Sequence, residues 1–178
     1  MRSVVWFGAL ALAAAFLLSF GSGDASAQGV CQQVIGKELD SGVVRDFYLE
    51  GNAIPTQKRN AAMLKCQPGK RLVFALLDTS GYGTDVQQKY TGMALLEKKV
   101  AVSGAELGVG AYGFGIAKTA AAAEGPARVL FYDVAGQKVG EAQAQYDKEL
   151  KQPAPLQIVL AKDRPARLYL GRHWLEIK

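Results

Sequence analysis

From Val43 onward the chain is a succession of short apolar stretches rich in β-branched and aromatic residues, broken about every ten residues by Gly, Pro, Asn or Asp. No segment sustains a helical period long enough for a long amphipathic helix, and no repeat of fixed length is visible. The expected strands are Val43–Leu49, Arg71–Leu77, Thr91–Leu96, Val100–Val102, Ala111–Ala117, Arg128–Asp133, Lys138–Gln145, Leu156–Ala161 and Arg167–Ile177. Such a pattern predicts an all-β fold, a single-domain β-sandwich or small barrel of antiparallel hairpins. "VLFYDVAGQKVGEA" turns at Ala135-Gly136, and "LQIVLAKDRPARLYL" reverses between Lys162 and Pro165. In the last stretch Leu168 and Leu170 fall on one face of an alternating strand, whereas Leu175 and Ile177 fall on the other. A bulge or tight turn near Gly171 is therefore expected.

Two segments depart from the strand pattern. "TDVQQKYTG" offers Thr84 as an N-cap, Gln87 three residues on and Gly92 past the end, which predicts one short helix near residues 85–91. Residues 117–127, "AKTAAAAEGPA", read as an exposed loop.

The first residues carry a different signal. A single basic side chain at Arg2, an apolar run from Val4 to Phe20 and the small-residue pattern Ala25-Ser26-Ala27 make up the three regions of a cleaved secretory leader. Residues 1–27 are expected to be removed, leaving residues 28–178 as one β domain with no stable membrane span and a periplasmic or secreted location. Val30 before Cys31 disfavours a lipoprotein cleavage site, and no twin-arginine pair precedes the apolar run. The leader holds one basic and one acidic residue, Arg2 and Asp24, so the remainder keeps the net charge of +5. In an oxidising compartment Cys31 and Cys66, the two cysteines of the chain, are expected to form a disulfide.

Chemistry-bearing clusters are sparse. The lone histidine, His173, sits in the final expected strand, and no second histidine or nearby cysteine completes a metal set. No G-x-S-x-G elbow occurs, and the glycines at 108, 110, 113 and 115 do not lead from a strand into a helix as a dinucleotide fingerprint would. Neither a metal nor another cofactor is expected. Basic residues are scattered among Asp40, Asp46, Glu97 and Glu176, which describes a solvated mixed-charge surface rather than a nucleic-acid face. A basic face on an exported protein would more readily meet anionic lipid or polysaccharide than nucleic acid.

"ALLDTSG", an apolar strand running into Asp78-Thr79, resembles the catalytic motif of retroviral-type aspartic proteases. Two further patches are similar in order: "GVGAYGFG" at 108–115, which would stand for the flap, and "LYLGR" at 168–172, which would stand for the apolar-Gly-Arg segment behind the active site. The resemblance implies a homodimer in which Asp78 pairs with its copy, the two carboxylates sharing a proton to activate water. The family has glycine directly after the threonine, whereas this chain has Ser80 there and glycine only at Gly81. The other reading of Asp78 is a strand-ending residue whose carboxylate accepts backbone N–H bonds in a turn.

The segment 48–65, "YLEGNAIPTQKRNAAMLK", is more polar than a core strand, and Gly51-Asn52 and Pro55 mark it as a loop tethered through Cys66. With residues 79–90 it is expected to present a binding surface of Asn52, Gln57, Tyr82, Asp85 and Tyr90. The sequence is thus read as an exported, non-enzymatic binding or interaction protein of the cell envelope, its ligand or protein partner undetermined. An aspartic hydrolase built on Asp78 and an assembly module pairing through a β edge are the alternatives.

Overall fold

The structure is a computed structural model, and it describes residues 31–117 and 124–178. The expected leader at 1–27 and the middle of the expected loop at 117–127 lie outside the described residues. The elements in chain order are β1 (Cys31–Val34), α1 (Lys37–Gly42), β2 (Asp46–Leu49), β3 (Asn52–Cys66), β4 (Lys70–Leu77), α2 (Thr84–Lys89), β5 (Gly92–Leu96), β6 (Val100–Val102), β7 (Ala105–Leu107), β8 (Gly110–Ala117), β9 (Ala127–Tyr132), β10 (Lys138–Tyr146), β11 (Gln157–Val159), β12 (Ala166–Leu170) and β13 (His173–Ile177).

Antiparallel pairing joins these strands in the order β1-β3-β4-β5-β8-β9-β10-β13-β12-β11. Strand β2 sits beside β3, and the β6–β7 hairpin joins through β13. The sheet curls until β11, at one end of this path, approaches β3 near the other. The result is an all-β single domain, an antiparallel sheet nearly closed into a barrel.

The barrel interior holds Ala62, Leu64, Leu72, Phe74, Leu96, Phe114, Phe131, Leu168 and Leu175, among others. A second cluster lies outside it, where Val34, Val43, Phe47, Leu49, Ile54 and Tyr90 cover Met63, Val73, Ala75 and Met93. Strands β3, β4 and β5 are thus buried on both faces, which is why β4 reads "LVFALL" without alternation.

The loop expected at 48–65 is instead the β2–β3 hairpin, and β3 is the longest strand of the fold. Its polar residues reflect position: Gln57 to Asn60 fall where the pairing with β4 skips from Gln57 to Ala61, a bulge that also tolerates the nearby Pro55. Strand β2 begins at Asp46 rather than Val43, because Val43 closes α1 by donating its N–H to the Leu39 carbonyl at 3.1 Å. Helix α2 has Gly83 before its first residue; Thr84 is inside the helix and makes no capping bond.

The last expected strand is a hairpin. Leu170 pairs with His173 across Gly171-Arg172, with Gly171 at φ 65°, so a tight turn brings Leu168, Leu170, Leu175 and Ile177 together inside the barrel. The turn expected at Ala135-Gly136 forms with the Gly136 N–H on the Asp133 carbonyl at 3.0 Å. The reversal between Lys162 and Pro165 joins β11 to β12.

Cys31 and Cys66 are bonded and directly opposite one another in the β1–β3 ladder. A formed disulfide indicates a compartment outside the cytoplasm. Among the described residues no helix is long and apolar enough to cross a membrane, which leaves open what strands do.

Candidate functional site

Most of the five side chains expected to form a binding surface are engaged within the chain. Tyr82 reaches from the β4–α2 loop to donate its hydroxyl to the Ala53 carbonyl. Gln57 donates to the Leu77 carbonyl at 3.0 Å and accepts from Asn60 at 2.8 Å. Asn52 donates to the Glu50 carbonyl at 3.3 Å, and Asp85 is exposed on α2. Tyr90 is only 1% exposed and belongs to the outer core, so it is not available to an external ligand. The small face of β8, at Gly113, admits its ring.

The Tyr90 hydroxyl meets Glu50 at 2.9 Å, and Lys89 pairs with the same carboxylate oxygen while lying 4.9 Å from the Tyr132 ring centre. Burial, then the Glu50 carboxylate, pushes the Tyr90 hydroxyl well above its ordinary range. The Lys89 ammonium, then the Tyr90 hydroxyl, holds the Glu50 carboxyl below its ordinary value of 4.5. Folded Glu50 therefore gives up its proton more readily than unfolded Glu50. Its contribution is fully present above pH 4.5 and is lost as pH falls through the lowered folded value. We expect Glu50→Gln to flatten the acid limb of a stability-against-pH curve below pH 4.5; an unchanged acid limb would remove Glu50 from the acid response.

Asp78 follows the end of β4 and is exposed. Its carboxylate accepts the Ser80 hydroxyl at 2.7 Å and the Ser80 N–H at 3.2 Å. The Ser80 hydroxyl, then its N–H, lowers the Asp78 pKa. This is the turn-capping geometry. The glycine-rich segment that would stand for a flap is β8, in the middle of the sheet between β5 and β9. In "LYLGR", Gly171 makes the tight turn, and Arg172 donates to the carbonyls of Asp147, Lys148 and Leu150 at 2.9–3.2 Å. His173 is 4% exposed, with Nε2 3.0 Å from the Gly125 carbonyl and its ring edge-on to Tyr146. It acts as a tie between a loop and the sheet. Among the described residues no group of three or more His, Cys, Asp or Glu side chains is placed to hold a metal ion.

What the sequence reading missed is a cavity of about 440 Å³ at the seam where β11 approaches β3. Its apolar wall comes from six places in the chain: Cys31 on β1, Leu64 on β3, Leu72 on β4, Val100 on β6, Ile177 on β13, and Leu160 and Pro165 in the β11–β12 loop. Lys98, Lys162, Arg164 and Lys178 stand around it, and no acidic side chain lines it among the described residues. Leu64 and Leu72 are almost wholly buried, Leu160 is exposed, Lys98 is half-buried, and Lys162 and Arg164 are exposed, so a packed apolar floor lies beneath a basic rim.

The local reasons are plain. Inward positions of β3 and β4 must be apolar, and the short β11 stops before it can pair along β3, leaving the barrel wall open there. The β11–β12 loop crosses this gap with a lysine and an arginine flanking Asp163. No family model, curated protein or solved structure matches the chain.

Proposed function

We propose that this chain is a non-enzymatic binding protein of the cell envelope, exported to the periplasm or beyond, that takes a small ligand into the seam cavity. The cavity carries the proposal: a concave site with apolar side chains in its lining and basic ones at its mouth has the make-up of a small-molecule site. Its volume falls within the range of roughly 300–1,000 Å³ typical of such sites. The leader-like first residues and the disulfide support an exported location. The non-enzymatic reading draws on the turn-capping geometry of Asp78 and the structural contacts of His173, the two residues that catalysis would have used. Among the described residues the edge strands β1, β2, β7 and β11 are three or four residues long, which limits what a partner strand can pair with there.

Thermal unfolding of residues 28–178 against a panel of apolar and amphiphilic small molecules tests the proposal. A ligand that binds the folded state raises the midpoint in proportion to its concentration over Kd. Ala161→Trp, which places a large ring in the half-buried wall of the cavity, is expected to abolish the rise. A rise that survives this substitution would put the ligand elsewhere.

A further inference from the structure

On that reading of the seam cavity, we infer that its ligand is a long-chain amphiphile with an anionic head, of the fatty-acid class, its tail inside the barrel seam and its carboxylate among the cations at the mouth. Two features of the site select this class together. The apolar side chains of the lining, Leu160 and Pro165 at the rim over a floor of Leu64, Leu72, Val100 and Ile177, offer a sugar or a free phosphate no hydrogen-bond partner. The charged side chains that line the mouth are basic, with the Glu176 carboxylate already taken up by Lys178, so a cationic amphiphile is repelled.

The state of the nearby charges strengthens the case. Glu97 is held by Arg71 at 2.8 Å, Glu106 by Lys99 at 3.0 Å and Glu176 by Lys178 at 2.5 Å. Lys178 is therefore already paired. Lys98, Lys162 and Arg164 form no ion pair among the described residues, although acidic side chains are neighbours in sequence to each of them. Three unpaired cations surround an apolar opening, and a carboxylate held there satisfies them without displacing an existing bond. Arg164 is suited to a carboxylate, whose two oxygens match its guanidinium fork. Lys98, half-buried where Lys162 and Arg164 are exposed, is the least solvent-screened of the three. A volume near 440 Å³ lies toward the small end of ligand sites, which suits one chain rather than a two-chain lipid.

Calorimetric titration of the disulfide-bonded chain, residues 28–178, with hexadecanoate, hexadecanol and hexadecyltrimethylammonium below their aggregation limits tests the inference. Hexadecanoate is expected to bind one to one and more tightly than the alcohol, and the ammonium amphiphile not at all. The double variant Lys98→Glu with Arg164→Glu is expected to weaken hexadecanoate by about tenfold or more while leaving hexadecanol unchanged. Added salt should weaken the acid alone. Equal binding of acid and alcohol, indifferent to the double variant, would overturn the anionic head while leaving the cavity as a binding site. No binding of any chain, or binding that Ala161→Trp leaves intact, would overturn the cavity reading itself. A dimer that Ala161→Trp dissociates, with no amphiphile bound, would make the mouth a contact between copies and also overturn the inference. Circular dichroism on each variant establishes that it is folded.

Discussion

Replacing Cys31 and Cys66 by serine is expected to lower folding stability by about 3 to 4 kcal/mol, the entropy returned to an unfolded chain when a loop of this length is no longer closed. The two cysteines are separated by 35 positions, and the strand they anchor, β1, pairs only with β3. Its own burial is slight: of its four residues only Val34 is fully buried. The loss should show in equilibrium urea unfolding as a lower midpoint with a somewhat steeper slope, because the unlinked unfolded chain exposes more surface. The same substitution should weaken binding at the seam, because Cys31 is part of the cavity wall. An unchanged midpoint would mean that the β1–β3 ladder holds the strand without the covalent link.

Gly115→Ala should destabilise by about 3 kcal/mol, the upper end of ordinary overpacking costs. A Cβ at this position of β8 would run into the Lys89 backbone carbonyl at the end of α2, which cannot swing aside as a side chain would. Two residues earlier, a Cβ on Gly113 would stand 2.7 Å from the Tyr90 ring. Together these glycines give β8 a smooth outer face on which Tyr90 and the end of α2 rest, which lets the outer core close and brings Lys89 to Glu50. Thermal unfolding of the single variant checks the expectation. A loss below about 0.5 kcal/mol, the scale of ordinary surface changes, would show that α2 shifts freely on β8.

The contrast between these two sites shows what the sequence made legible. Strands that alternate or run apolar between turn residues were readable from period and punctuation, as β4, β5, β8, β9 and β10 show. Strand β3 was not, because its middle is a polar bulge and its Pro55 and the preceding turn residue Gly51 resemble loop signals until β2 and β4 are seen on either side. Helix α1 was hidden by its brevity and lack of any buried residue. The glycines of β8 signalled that something approaches closely, without saying whether a ligand, a flap or a tyrosine does so. At the candidate site, the disulfide was legible from cysteine count and compartment. The cavity was not: its walls come from β1, β3, β4, β6, β13 and the β11–β12 loop, and only closure of the sheet brings Leu64, Val100 and Arg164 to one site. The basic pairs along the chain looked like scattered surface charge for the same reason.

The central claim is that the seam between β3 and β11 is a ligand site. It is tested most directly by methyl NMR of the folded, disulfide-bonded chain during titration with hexadecanoate. The account predicts saturable shifts at the methyls of Leu64, Leu72, Val100 and Ile177, with those of Leu49, Ile54 and Val73 in the outer core unmoved. Shifts confined to the outer core, or none at saturating hexadecanoate, would contradict it.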